Sequence, residues 1–188
     1  MATLELFFDC SSPWTYLAFA GIQPIAERHG VEVTWKPILV GGVFNAVNKE
    51  VYENRANPNP LRWGYMRKDL EDWARAYGLR IGWPPVFPVN SVKVMRGAFV
   101  AEDHGLLVPY CTAVFERYWG ELEDISQDEV LTRIVTGLGM DPTVFFAAIA
   151  APACKERLRA NTDELVARGG FGSPTIFVDG TDMYFGND

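Results

Sequence analysis

The sequence contains no Cys-x-x-Cys pair: its three cysteines, Cys10, Cys111 and Cys154, stand far apart. Such spacing encodes neither a zinc ribbon nor a dithiol redox centre. Histidine is scarcer still. His29 and His104 each precede a glycine where a helix is expected to end, so both are expected to be structural residues at helix C-termini. Two histidines also leave too few ligands for a histidine-rich metal site, and no metal is expected. Positive charge is in short supply, since 17 Lys and Arg against 24 Asp and Glu leave a net charge of −7 and a pI near 4.9. That balance argues against nucleic acid, whose phosphates need a surplus of Lys and Arg. No apolar run approaches the roughly 18 residues of a membrane span. The opening "MATLELFFD" has neither the basic start nor the cleavage site of a secretory signal. A cytoplasmic protein without membrane partners is the expectation.

What remains is an ordinary globular composition, 48% hydrophobic and 22% charged over 188 residues, enough for one domain or one domain carrying an insertion. "TLELFFD" (3–9) is β-rich and apolar on both parities, as a buried strand is. Ser12 stands at an N-cap position with Pro13 at the first helical position. The helix should run to His29 and stop at Gly30, with a kink at Pro24. "VEVTWKPIL" (31–39) follows as a second strand, and strand, helix and strand in so short a span predict a parallel βαβ unit.

From Gly41 the composition shifts to Gly, Asn and Pro, which predicts a loop with short helical turns at most. Residues 49–68 carry Lys49, Arg55, Arg62, Arg67 and Lys68 against Glu50 and Glu53, as either a solvated helix face or a wall turned toward an anion. Helices are expected from Leu61 to Tyr77 and over 91–104, 107–119, 126–137, 142–150 and 153–168. Ser126 and Glu129 have capping-box spacing. "WPPVFPVN" (83–90) cannot be helical. Strand 174–178, a turn at Asp179-Gly180 and strand 182–185 predict an antiparallel hairpin.

Four segments in this order, "FFDCSSPWTYLAFAG", "FPVNSVKVMRG", "FGSPTIFVDG" and "MYFGND", resemble the 2-hydroxychromene-2-carboxylate isomerases. These are kin to the kappa-class glutathione transferases within the broad DsbA-like group. The resemblance spans nearly the whole chain. It implies an α/β fold of thioredoxin type, built from residues 1–40 and 170–188, interrupted by an all-helical insertion over 41–169. In DsbA-like oxidoreductases a reactive Cys is followed by Pro, any residue and a second Cys. Here that segment is Ser12-Pro13-Trp14-Thr15, so hydroxyls replace both sulfurs and the resemblance implies that glutathione brings the sulfur.

By the same resemblance Ser12 is catalytic, donating to the glutathione thiolate. A charge-assisted bond of roughly 1.5–3 kcal/mol would lower the thiol pKa by about one to two units. The N-terminus of the helix favours the same anion. Read alone, Ser12 is an N-cap. Since one hydroxyl fills two roles, Ser11 is expected to share the capping. Ser173 precedes Pro174, the position of the cis-proline of thioredoxin folds, and its backbone would pair with the cysteinyl unit of glutathione. Phe185, Gly186, Asn187 and Asp188 match the segment that holds the γ-glutamyl end. Phe87 matches a pocket-lining aromatic residue.

The substrate end departs from the pattern. Relatives carry Lys where this chain has Asn45, and their Asn-rich loop corresponds only loosely to Asn48 and Asn57. Lys49, Arg55 or Arg62 is left to meet a substrate carboxylate. The resemblance implies a glutathione-dependent cis–trans isomerase that acts on a small aromatic carboxylate through thiolate addition, bond rotation and elimination. Its product would be a trans-o-hydroxybenzylidenepyruvate. The alternatives are a kappa-like glutathione transferase or peroxidase and a non-catalytic glutathione-binding protein. A homodimer is expected. A terminal helix is expected beyond Asp188, covering strand 182–185 and pointing its N-terminus at the γ-glutamyl carboxylate.

Overall fold

The computed structural model describes residues 2–188. All four strands come from the two ends of the described chain: β1 (Leu4–Phe8), β2 (Val33–Pro37), β3 (Thr175–Val178) and β4 (Asp182–Phe185). They form one sheet in the order β2-β1-β3-β4. β1 runs parallel to β2, with Leu6 opposite Trp35, and antiparallel to β3, with Leu6 opposite Ile176. This is the parallel βαβ unit predicted from the first 37 residues, joined by the C-terminal hairpin. The hairpin turns at Asp179 and Gly180, both at positive φ, as a tight turn between twisted strands demands. β4 lies at the sheet edge, where Met183, Tyr184 and Phe185 are all exposed.

α1 (Pro13–His29) crosses from β1 to β2. Its Ser12 cap is extended, Pro13 opens the first turn, and Gly30 ends the helix at φ 62°. The helix continues through Pro24 to His29. His104 follows the last residue of its helix and places Nδ1 2.8 Å from the carbonyl of Val100, a local helix-end contact.

The predicted loop after Gly41 is helical instead. Two short helices occupy it, α2 (Val40–Val47) and α3 (Glu50–Ala56). A Cβ on Gly42 would lie 3.2 Å from Thr162 Cγ2, so this glycine lets α2 lie close against a later helix. Packing there overrides weak local propensity. α4 (Pro60–Ala76), α5 (Val92–Asp103), α6 (Leu107–Phe115), α7 (Asp128–Gly137), α8 (Pro142–Ala150) and α9 (Pro152–Ala167) complete the helical block. A π-type turn (Glu116–Gly120) extends α6.

The capping box expected at Ser126 does not form. Gln127 is the cap residue of α7 and makes no side-chain cap bond. Asp124 instead accepts from the backbone and hydroxyl of Ser126 and from Gln127.

Alternation along β1 splits the core. Leu6 and Phe8 pack into the large cluster with α5–α8, while Phe7 joins Ile38, Val43, Leu165 and Phe177 on the other face. At the margin of that second face, Arg168 from the end of α9 stacks on Phe177 and pairs with Glu5. No helix among the described residues is long and apolar enough to cross a membrane.

Candidate active site

The end of β1 and the start of α1 meet the segment before β3. Ser12 Oγ accepts the Thr15 N–H at 3.3 Å and donates to the Ser173 carbonyl at 3.0 Å. One hydroxyl therefore caps the helix with a lone pair and keeps its proton for another partner. This corrects the expectation that Ser11 must share the capping: accepting and donating use different parts of the same group. The Ser11 N–H is bound instead by Asp9 Oδ1, at 2.9 Å.

Thr15 Oγ1 lies 2.8 Å from Ser173 Oγ, and Ser173 Oγ also accepts the Asp9 N–H at 2.9 Å. The Ser173–Pro174 peptide is cis. Asp9 is fully buried and holds three elements together. Its Oδ2 accepts from the Val40 N–H at 2.9 Å and from Ser91 Oγ at 3.0 Å, while Oδ1 holds Ser11. Burial pushes its carboxyl above the ordinary carboxylate value, against the pull of these donors.

Cys10, adjacent to both, is a core residue. Its backbone is held by Met95 Sδ and Trp119 Nε1, and burial raises its thiol well above the ordinary value. A buried thiol of this kind is a poor nucleophile.

Ser12 opens onto a cleft of about 320 Å³. Its walls are largely aromatic: Trp63 and Trp83 rings lie 5.1 Å apart, Trp83 and Phe87 4.9 Å. Gly172 makes room for Phe185, whose ring lies where a Cβ on Gly172 would come within 2.8 Å. Of the residues singled out in the sequence, Ser11, Ser12, Asn48, Arg55, Phe87, Ser173 and Phe185 line this cleft. Asn48 also ties α2 to the 171 segment through the Phe171 carbonyl, at 3.1 Å.

Pro174, Gly186, Asn187 and Asp188 do not line it. The Asn187 amide nitrogen is buried without a hydrogen-bond partner among the described residues. Asn45 lines a neighbouring cavity and accepts from the Tyr52 hydroxyl at 2.8 Å. Asn57 and Arg62 line a third cavity.

Of the five cations in residues 49–68, Arg55 alone lines the Ser12 cleft. Its guanidinium sits 5.4 Å from the Phe44 ring centre and 5.3 Å from that of Phe87. Counted whole, the residue is exposed. Its head is nonetheless desolvated enough to lower its pKa. Phe44, Trp14 and Met66 also line the cleft and were not singled out. Each sits on a helix at a spacing that reads equally well as core.

A family model described as a DSBA-like thioredoxin domain matches residues 3–188. The chain belongs to that family. It is 31% identical to a 2-hydroxychromene-2-carboxylate isomerase of Pseudomonas putida, over 98% of this chain and 89% of the relative. A glutathione S-transferase kappa 1 of Homo sapiens is 26% identical, over 99% and 86% of the two chains. Among solved structures, a 2-hydroxychromene-2-carboxylate isomerase superposes with a TM-score of 0.83 at 26% identity, covering 99% of this chain and 89% of that one. The fold is thus thioredoxin-like of the DsbA kind, with helices inserted between β2 and β3.

Proposed function

We propose that this protein is a glutathione-dependent cis–trans isomerase of conjugated aromatic carboxylates, with Ser12 as the residue that holds the thiolate. The observation that carries the reading is the Ser12 hydroxyl. It lies at a helix N-terminus, opens onto an aromatic cleft, and has a proton that can be turned toward a ligand. The described residues fit glutathione in two further respects. The Ser173 backbone borders the cleft beside the cis peptide, and Phe185, from the segment expected to hold the γ-glutamyl end, forms part of its wall.

When bound, glutathione supplies a thiol whose thiolate adds to a conjugated acceptor and leaves again. Everything else falls to the chain. Ser12 and the first N–H groups of α1 favour negative charge beside them. Ser173 and Phe185 orient the peptide, and Phe87, Trp63 and Trp83 hold a flat substrate against it while excluding water.

Similarity to kappa-class transferases supports a second reading, in which the same site transfers glutathione to an electrophile. Incubation with 2-hydroxychromene-2-carboxylate separates the two. Isomerisation forms product at constant glutathione concentration, whereas transfer depletes glutathione one for one. Absence of product with this substrate, together with turnover of a conjugation electrophile, would refute the isomerase reading.

A further inference from the structure

Arg55 carries a charge that the protein leaves without an anionic partner. None of the ion pairs among the described residues includes it. Lys49, Arg62 and Arg67 also stand outside those pairs but do not line the Ser12 cleft, and Lys68 is taken by Asp72. The Arg55 guanidinium lies over two aromatic rings, 5.4 Å from the centre of Phe44 and 5.3 Å from that of Phe87. Rings so placed attract the cation and restrict the plane it can adopt. They offer no hydrogen-bond acceptor in that plane. The N–H donors around the edge of the group therefore remain to be met, and a carboxylate accepts two of them side by side.

We propose that Arg55 is the receptor for the carboxylate of a flat, conjugated substrate, and that it binds this group independently of glutathione. The proposal rests on the reading of the Ser12 cleft as the substrate site. Arg55 comes from α3 and Ser12 from the start of α1, and both line the same cleft. A molecule anchored at Arg55 by its charged end lies between the tryptophan and phenylalanine walls. Its conjugated body then extends toward the Ser12 side. The restricted plane of Arg55 passes to the carboxylate, and through conjugation to the rest of the ligand, so the residue fixes orientation as well as charge. A lysine would supply the charge without the plane.

The test is equilibrium binding without turnover. Wild type, Arg55→Gln and Arg55→Lys are titrated with trans-cinnamate and with its methyl ester, following the fluorescence of the cleft tryptophans. Glutathione is titrated separately. Arg55→Gln should weaken cinnamate binding about 10- to 100-fold, as expected for losing hydrogen bonds to a charged group. Ester and glutathione affinities should stay as in wild type. Arg55→Lys should fall between the two.

Equal weakening of acid and ester would reduce Arg55 to a wall of the cleft and overturn the proposal. So would a parallel loss of glutathione affinity, which would assign the residue to the tripeptide, or failure of wild type to bind cinnamate. A wild type that binds cinnamate through Arg55 but not glutathione would sink the cofactor reading and leave this one standing.

Discussion

Ser12→Ala removes two hydrogen bonds whose effects separate in measurement. The first is the cap: Ser12 Oγ accepts from the Thr15 N–H, and losing such a cap costs about 0.5–2 kcal/mol of stability. The second is the proton available to a bound thiolate. In the structure that proton already has a partner, the Ser173 carbonyl at 3.0 Å. Holding a thiolate therefore means exchanging one bond for another. A neutral bond contributes roughly 0.5–1.5 kcal/mol and one to an ion roughly 1.5–3. The difference, about 0.5–2 kcal/mol, lowers the thiol pKa by only about half to one and a half units.

That is less than the hydroxyl would give if nothing competed for it. The remaining stabilisation comes from the helix N-terminus, which the substitution leaves in place. Ser12→Ala should thus raise the pKa of bound glutathione by about half to one and a half units and slow turnover at neutral pH about 2- to 30-fold. The sign is fixed: the rising limb of the rate against pH moves to higher pH, and the deficit shrinks once both thiols are ionised. Ultraviolet absorbance of the thiolate, titrated in the bound complex, reads the pKa directly. An unchanged thiol pKa in Ser12→Ala would refute the assignment, whatever happened to the rate.

The remaining expectations concern the residues around that hydroxyl and the sheet beneath it. Cys10→Ala should keep glutathione binding and turnover within a few-fold, since the thiol is buried and its pKa is raised; abolished turnover would return the chemistry to the protein's own sulfur. Asp9→Asn should cost roughly 1–3 kcal/mol, because one amide N–H would face a backbone or hydroxyl donor now met by a carboxylate oxygen; an unchanged denaturant midpoint would contradict this. Glu5 is held below its ordinary value of 4.5, first by the hydrogen bond from Arg168. Its contribution, on the order of 1 kcal/mol, is present above the unfolded pKa and lost as pH falls through the folded one. Glu5→Gln should flatten the acid side of the stability profile, and a profile as steep as wild type would disprove that linkage.

The βαβ start was legible in the sequence because every boundary carried its own chemistry. Ser12 and Pro13 open α1, Gly30 closes it at a positive φ, and the β-rich segments on either side have no competing reading. The hairpin was legible for the same reason, through Asp179-Gly180. The segment after Gly41 was not. Gly, Asn and Pro mark a loop, and nothing local reveals that α2 lies against α9 with Gly42 at the contact. Asp124 was a similar case, since its side chain takes the Ser126 N–H that a capping box would have given to Glu129.

Within the site, the residues near Ser12 and Ser173 carried recognisable patterns. Asp9 did not, because its Val40 and Ser91 partners are separated from it by 31 and 82 positions. Arg55 was one of five cations spread over residues 49–68, and only the fold distinguishes it from the others.

The two hydroxyls of Ser12-Pro13-Trp14-Thr15 have different tasks, and the difference bears on the chemistry. Thr15 is fully buried, and its hydroxyl is engaged with Ser173 Oγ, which in turn holds the Asp9 N–H. Breaking that contact would leave buried polar groups unmet, at about 1–3 kcal/mol for each. Thr15 is therefore a fixed support that sets the Ser173 backbone beside the helix start. Ser12 is only half-buried, and its proton lies on a carbonyl that borders the cleft. When it leaves, the Ser173 carbonyl needs another donor, which an N–H of a bound peptide can supply. A disulfide centre needs both ends of the four-residue segment to be reactive. Here one end is committed to structure and the other is a proton donor. That division fits a site built around one sulfur carried in by a ligand.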